Sequence, residues 1–166
     1  MSDVAGYDVY STKMTQIPRI EVQTPLAVSV GAFVVTIFIH ALTVITTVKF
    51  ARRQKMLGHA GTGFWHDFLI VALAASFLLM AHLIEIAVWA VLFVICGEFS
   101  GLGTAYYHSA VNFTTLGYGD LIMTPSWRLL GPLEAANGML LFGVSTAMVF
   151  AVIQRLIEAR FEDLRE

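Results

Sequence analysis

The residues most clearly able to bind a ligand form one short run, Thr-Leu-Gly-Tyr-Gly-Asp, at positions 115–120. Gly117 and Gly119 stand at alternate positions, and glycine reaches left-handed backbone torsions at little cost. Alternating torsions turn successive carbonyl oxygens toward one side, and the Thr115 hydroxyl adds a further oxygen. Such a row of oxygens cannot face lipid, but it can line a pore in which it replaces the water shell of a potassium ion. One chain supplies one side of that ring, so the run predicts an assembly of several copies.

The letters TLGYG at positions 115–119 resemble the TVGYG selectivity filter of potassium channels, with Leu116 in place of the usual valine. The similarity covers roughly residues 106–154 and identifies the two-helix pore module of that superfamily, of prokaryotic type. The resemblance implies that Asp120 lies at the outer mouth, where its charge attracts cations. It assigns K⁺ coordination to the carbonyls of Thr115, Leu116, Gly117 and Tyr118 and to the Thr115 hydroxyl, in a filter that ends at Gly119.

The supports of the filter depart from the family pattern at three positions. Val111 stands where some members have a glutamate that braces the aspartate after the filter. Tyr107 and His108 stand where an aromatic cuff holds the filter tyrosine. Both side chains end in a polar group. We therefore expect Tyr107 to form a hydrogen bond near Asp120, and His108 to form one near Tyr118 of a neighbouring copy. His108 is either a structural residue or a pH-sensitive element of the filter, since the reference pKa of histidine is about 6.5.

In the last apolar segment the resemblance places Gly138 at the hinge glycine of the family. A glycine inside a helix costs roughly 1 kcal/mol relative to alanine, so either close helix packing or a bending hinge accounts for it. Glu134 is expected behind the filter and, as a hypothesis, supplies the bracing that Val111 cannot. The residues carried over to the cavity and gate are Gly138, Met139, Phe142, Gly143, Thr146, Ala147 and Phe150, with Phe150 as the hydrophobic constriction.

Three ionisable residues, His40, His82 and Glu85, lie inside apolar segments. His82 and Glu85 are one helical turn apart, and the rise of ~1.5 Å per residue brings His40 to the same depth on an antiparallel helix. Because a charge in lipid is costly, these residues are expected to pair with one another. Three interpretations remain open: a structural polar clasp, a proton-sensing gate, and a metal site.

The composition favours a membrane protein. Of 166 residues, 57% are hydrophobic and 13% are charged, and the mean hydropathy is +0.74. This is too apolar for a water-soluble domain of that size. A net charge of −2 offers no basic field for nucleic acid. The single Cys96 excludes an internal disulfide framework and a cysteine metal site.

The predicted fold is all-α and integral to the membrane, with three transmembrane helices, a re-entrant pore helix and filter, and a fourfold homotetrameric pore. Basic residues at 49–55 are expected in a cytoplasmic loop by the positive-inside rule. The N-terminus then lies outside and the C-terminus in the cytoplasm, in the plasma membrane. The segments are a polar arm (1–24), an extra transmembrane helix and basic loop (25–54), an outer span (64–98), the turret, pore helix and filter (99–126), and the inner helix with a short tail (127–166).

These patterns predict a potassium-selective channel with passive conduction, no voltage sensor, no soluble ligand domain and no enzymatic activity. Its partners would be other copies of the chain, the bilayer and K⁺, with no cofactor besides the permeant ion and no nucleic acid. The alternatives are a poorly selective cation channel and a non-conducting membrane subunit that keeps the pore fold. An enzyme would rest on His82 and Glu85 alone, and HxxE is a weak metal motif.

Overall fold

The computed structural model of the protein describes residues 21–61 and 63–163. These residues form helices α1 (Gln23–Met56), α2 (Phe64–Ile95), α3 (Leu102–Phe113) and α4 (Leu130–Asp163), with no strand among them. Helices α1, α2 and α4 are long and apolar enough to cross a membrane. The all-helical class and the three candidate spans are therefore confirmed, whereas most of the predicted polar arm lies outside the described residues.

Helix α1 is longer than its apolar run. It begins at Gln23, so Pro25 lies within the first turn and not at the first position, and it continues to Met56. Basic side chains stabilise the last turns of a helix, where the free carbonyls carry partial negative charge. Gly58, with a φ of 69°, then allows the chain to leave the helix. The basic residues that we expected in a loop therefore lie in the last two turns of α1.

Helix α1 packs against both α2 and α4. Its buried face carries small and polar side chains, among them Ser29, Ala32, Thr36 and Thr47, and such residues let membrane helices approach closely. The Asn137 amide on α4 donates to Thr36 Oγ1 at 2.8 Å. Helix α1, the segment predicted to lie outside the two-helix module, is thus an integral part of the helix bundle.

Two apolar cores lie at opposite ends of the helix bundle. One, around Trp89, Phe93 and Phe113, joins α2, α3 and α4. The other, around Ile70 and Val152, joins α2 and α4. On α2, the polar residues His82 and Glu85 lie in the interval between the two cores.

The end of the bundle remote from α3 gathers three helix ends. Asp67, in the first turn of α2, accepts hydrogen bonds from the Gly61 amide at 2.9 Å and from Arg160 of α4 at 3.0 Å. Arg52 of α1 and Arg155 of α4 line one cavity of about 410 Å³. The basic ends of α1 and α4 therefore share one side of the molecule with the start of α2.

Candidate functional site

The backbone of the Thr-Leu-Gly-Tyr-Gly run alternates in handedness. Thr115, Gly117 and Gly119 have φ values of 60°, 61° and 72°, while Leu116 and Tyr118 between them have none in the positive region. In the described part of the chain, Thr115 is the one non-glycine residue with a positive φ, a conformation that is strained for a β-branched side chain. Sequence reasoning identified the two glycines but missed this conformation of Thr115, because threonine seldom adopts it.

The amides of this run face back toward α3. The Thr115 amide donates to Asn112 O at 2.8 Å, and the amides of Leu116 and Gly117 donate to Val111 O at 2.9 and 3.2 Å. Within residues 21–61 and 63–163, no hydrogen bond ends on a carbonyl of residues 115–118. The run is also exposed, Leu116 by 56% and Tyr118 by 69%. The carbonyls of residues 115–118 are therefore polar groups that still need a partner from outside the described chain.

Two carboxylates hold the chain on the far side of the run. Tyr107 donates to Asp120 Oδ2 at 2.8 Å, and this hydrogen bond raises the pKa of Tyr107, so the phenol keeps its proton. Glu98 accepts from both the amide and the hydroxyl of Thr124, at 2.7 and 2.6 Å. Glu98 was missed from the sequence, since an acidic residue at the end of a span is ordinarily solvent-facing.

His108 has a different environment from the one expected. Its ring packs against Phe93 and Phe99 at centroid distances of 5.5 and 4.9 Å, and its Nε2 lies 2.9 Å from the Asn112 amide nitrogen. Burial lowers the pKa of His108, against the opposing effect of Asp120 and Glu98. The ring is thus turned into its own chain, where it fills space beside Phe93 and Phe99.

Glu134 is completely buried between α4 and α3. Its carboxyl contacts the Ser109 hydroxyl, which also donates to the carbonyl of Ile86 at 2.8 Å. The contact joins α2, α3 and α4 through one serine. Glu134 therefore contacts the middle of α3, two residues before Val111, and does not contact Asp120.

Gly138 lies directly against the end of α3. A Cβ at this position would stand 2.0 Å from the carbonyl oxygen of Phe113, whereas at Gly143 it would meet nothing within 4 Å. Close packing is a sufficient reason for Gly138. Phe142 is half-buried against Phe113, and the exposed residues of the predicted cavity stripe are Met139, Gly143, Thr146, Ala147 and Phe150.

His40, His82 and Glu85 come together in the interior. His40 Nδ1 lies 3.0 Å from Glu85 Oε1, and His82 Nδ1 lies 2.9 Å from Glu85 Oε2. Ser145 of α4, which sequence reasoning missed, places its Oγ 2.9 Å from His82 Nε2 and 3.4 Å from His40 Nε2. We call these four residues the buried polar cluster.

Three of these residues also satisfy the minimum for a metal site, with one ligand atom each within 4.8 Å of the others. The nitrogen–oxygen distances of 2.9 and 3.0 Å are those of hydrogen bonds. The distances are thus those of a hydrogen-bonded clasp, and the same three side chains also offer a metal ion one ligand atom each.

Comparison with known proteins gave one match, to a protein family. A family model described as an ion channel matches residues 80–155, from the middle of α2 through most of α4. No curated protein and no solved structure matches the chain. The family match supports an ion channel pore family and passive ion conduction. Together with the three candidate spans, it supports a multi-pass membrane protein.

Proposed function

We propose that the chain is one subunit of a potassium-selective channel, in which four copies surround an axial pore. The observation that carries the proposal is the alternating backbone of residues 115–119: α3 holds the amides of Thr115, Leu116 and Gly117, and the carbonyls of residues 115–118 have no hydrogen-bond partner in the described chain. Four such rows, stacked around an axis, replace the hydration shell of K⁺ layer by layer, and ions move by knock-on between adjacent layers.

The exposed surfaces support the homotetramer. The filter run presents Leu116 and Tyr118, and the same subunit exposes Met139 and Phe150 on α4, each by 60%. In this proposal the α4 stripe lines the cavity below the filter, and Phe150 forms the constriction near its far end. Asp120 lies at the opposite mouth, and its charge concentrates cations there.

The basic end of the bundle supports an orientation in the plasma membrane. Arg52 and Arg155 line one cavity, and Arg160 lies beside Asp67 at the same end. By the positive-inside rule this end is cytoplasmic. The N-terminus and the outer mouth of the filter are then extracellular, and the C-terminus is cytoplasmic.

A liposome flux assay with matched glycine variants tests the proposal. Gly119 and Gly97 have φ values of 72° and 76°, and neither has a neighbour that would touch an added Cβ. Replacing either by alanine therefore introduces a similar local strain, on the order of 1–3 kcal/mol. Only Gly119 belongs to the filter run. We expect Gly119→Ala to reduce K⁺ flux at least tenfold, and Gly97→Ala to carry K⁺ like the wild type.

The selectivity of the wild type decides between the alternatives. Potassium selectivity requires a reversal potential in mixed K⁺ and Na⁺ that follows the K⁺ gradient. A reversal potential that does not change when Na⁺ replaces K⁺ on one side would indicate a poorly selective cation channel. Reconstituted protein that carries neither ion would indicate a non-conducting subunit with a pore fold.

A further inference from the structure

The buried polar cluster is complete within one chain and joins three helices. His40 belongs to α1, His82 and Glu85 to α2, and Ser145 to α4. All four residues are buried, with exposed fractions between 0 and 8%. A buried polar contact without a hydrogen between its two atoms is costly, so the number of hydrogens in the cluster is constrained by its geometry.

The hydrogens can be counted. The cluster has four contacts: two between an imidazole Nδ1 and a Glu85 oxygen, and two between an imidazole Nε2 and Ser145 Oγ. A carboxylate carries no hydrogen, each neutral imidazole carries one, and the hydroxyl carries one. With an ionised Glu85 and two neutral rings, the cluster thus has three hydrogens for four contacts. At one contact, two lone pairs face each other without a hydrogen between them.

One additional proton completes the cluster. If one ring is an imidazolium, its Nε2–H donates to Ser145 Oγ, and the hydroxyl donates to Nε2 of the other ring. Both Nδ1–H groups then donate to the Glu85 carboxylate, and the cluster is electrically neutral. The count is the same if the proton resides on Glu85 and the two rings take opposite tautomers. A second additional proton would leave one hydrogen without an acceptor and a net positive charge in the membrane.

We propose that His40, His82, Glu85 and Ser145 form a binding site for a single proton in each subunit. The ligand is the proton itself, held by a closed ring of four hydrogen bonds that ties α1, α2 and α4 together. Loss of this proton breaks one of the four contacts and weakens the hold on Ser145 of α4.

No other titratable group shares this proton among residues 21–61 and 63–163. The titratable groups that face the cluster are His40 from α1 and His82 and Glu85 from α2. Helix α4 contributes the Ser145 hydroxyl and the ring of Phe142, 4.3 Å from that of His82, and α3 contributes the ring of Phe113 at 5.9 Å. These aromatic rings form an apolar wall on one side of the cluster, while on another side His82 and Ser145 line a cavity of about 440 Å³ together with Thr146.

The position of Ser145 connects the site to conduction. Ser145 precedes Thr146, an exposed residue of the stripe that lines the proposed cavity. A change in the hold on Ser145 therefore acts on the inner helix beside the ion path. This link to K⁺ flux rests on the proposed function, whereas the proton count does not.

Glu85→Gln is the decisive variant, because it closes the same ring without the proton. The glutamine oxygen accepts from one Nδ1–H, and one of its two amide hydrogens donates to Nδ1 of the other ring, while the second has no acceptor within the cluster. That second ring then carries its hydrogen on Nε2 and donates to Ser145, whose hydroxyl donates to the first ring. All four contacts have a hydrogen with both rings neutral. We expect this variant to fold and to assemble like the wild type.

The test is nitrogen-15 NMR of histidine-labelled full-length protein in liposomes at neutral pH, with His40→Gln and His82→Gln used to assign the two rings. In the wild type, we expect either one ring with hydrogen on both nitrogens, or two neutral rings of opposite tautomer together with a carbon-13 chemical shift that shows the Glu85 carboxyl to be protonated. In Glu85→Gln, we expect two neutral rings of opposite tautomer. Two neutral wild-type rings beside an ionised Glu85 carboxylate, in either combination of tautomers, would overturn the proposal, since the additional proton would then be absent.

Thermal unfolding against pH provides a second readout that does not depend on conduction. The folded wild type binds one proton more than its unfolded groups do at alkaline pH, so its stability falls as the pH rises. We expect its folding equilibrium constant to fall up to tenfold more per pH unit, per subunit, than that of Glu85→Gln. Parallel curves for the two proteins would count against a bound proton.

Measurements of K⁺ flux against pH separate the channel proposal from the proton-site proposal. If the channel proposal is correct, the pH dependence of K⁺ flux differs between the wild type and Glu85→Gln. If neither protein carries K⁺ but the NMR shows the additional proton, the proton site stands and the channel proposal fails. If K⁺ flux is selective but both wild-type rings lack the proton, the channel stands and the site fails.

Discussion

The filter run and the buried polar cluster are opposite solutions to placing polar atoms within a membrane protein. The filter run is built from backbone carbonyls, is exposed in one subunit, and leaves the carbonyls of residues 115–118 without a partner. The cluster is built from side chains, is buried, and places each of its polar atoms against another. In the two proposals made above, the first is completed by other copies of the chain and a cation, whereas the second is completed by one proton.

The difference assigns separate tasks to the two regions. A group with unsatisfied carbonyls is a binding surface, because a buried polar atom must find a partner. A group that satisfies itself stabilises the subunit and resists exchange with lipid or water. Substitutions in the cluster should therefore act first on the stability of each chain and reach ion flux only through its pH dependence. Substitutions in the filter run should act on ion flux directly.

The strongest challenge to this contrast is Glu85→Ala. Removing the shared carboxylate leaves two buried imidazoles without their acceptor, so we expect a loss of about 3–5 kcal/mol in the free energy of unfolding. The measurement is thermal or denaturant unfolding in detergent, with Glu85→Gln as the matched control. Unfolding of Glu85→Ala at the wild-type midpoint would show that the cluster does not hold the helices together.

Gly138→Ala tests whether the filter depends on the packing beneath it. The added methyl would lie 2.0 Å from the Phe113 carbonyl oxygen, just before the filter run, so the pore helix must move. We expect overpacking to cost about 1–3 kcal/mol and to reduce K⁺ flux. Gly31→Ala is the control, because Gly31 is within α1 and its Cβ would meet nothing within 4 Å. Equal stability of the two variants would contradict the close contact.

Tyr107→Phe sharpens the comparison at the outer mouth. It removes the hydrogen bond to Asp120, worth about 1 kcal/mol, and we expect K⁺ currents that decline faster during sustained conduction. Tyr106→Phe is the neighbouring control, because the Tyr106 hydroxyl donates to the Leu83 carbonyl of α2 and not to the filter. The measurement is the time course of current in planar bilayers, and equal time courses would rule out a role for the Tyr107–Asp120 bond.

The smallest expected effect comes from His108. Because burial lowers its pKa below the usual 6.5, the folded protein holds the neutral ring and the unfolded chain binds a proton more readily. Stability from this residue is then present above pH 6.5 and is lost as the pH falls below it. A plot of unfolding midpoint against pH should show this decline in the wild type and a weaker one in His108→Gln. The sign is opposite to that expected from the cluster.

Much of the fold could be predicted because it follows from local rules. The three long apolar segments correspond to α1, α2 and α4, since a membrane span requires a continuous helix of sufficient length. The helix ends were less predictable. The basic residues after position 48 continue α1, because helix-favouring side chains extend the helix until Gly58 allows it to end.

The candidate sites divide in the same way. The alternating torsions of the filter run were anticipated from Gly117 and Gly119, but the positive φ of Thr115 was not. The convergence of His40, His82 and Glu85 was anticipated from depth alone. Ser145 was not, because its contact with the cluster depends on the rotation of α4 about its own axis, and each residue changes direction by ~100° along a helix.

By itself, the sequence determined what depends on neighbouring residues: an all-helical chain with three spans and a glycine-spaced run able to turn its carbonyls to one side. The tertiary structure alone decided which side chains meet. It turned His108 into its own subunit, placed Glu98 on Thr124, and pressed Gly138 against Phe113. The reason is that backbone torsions are local preferences of a few residues, whereas contacts between helices depend on the rotation and depth of whole helices relative to one another.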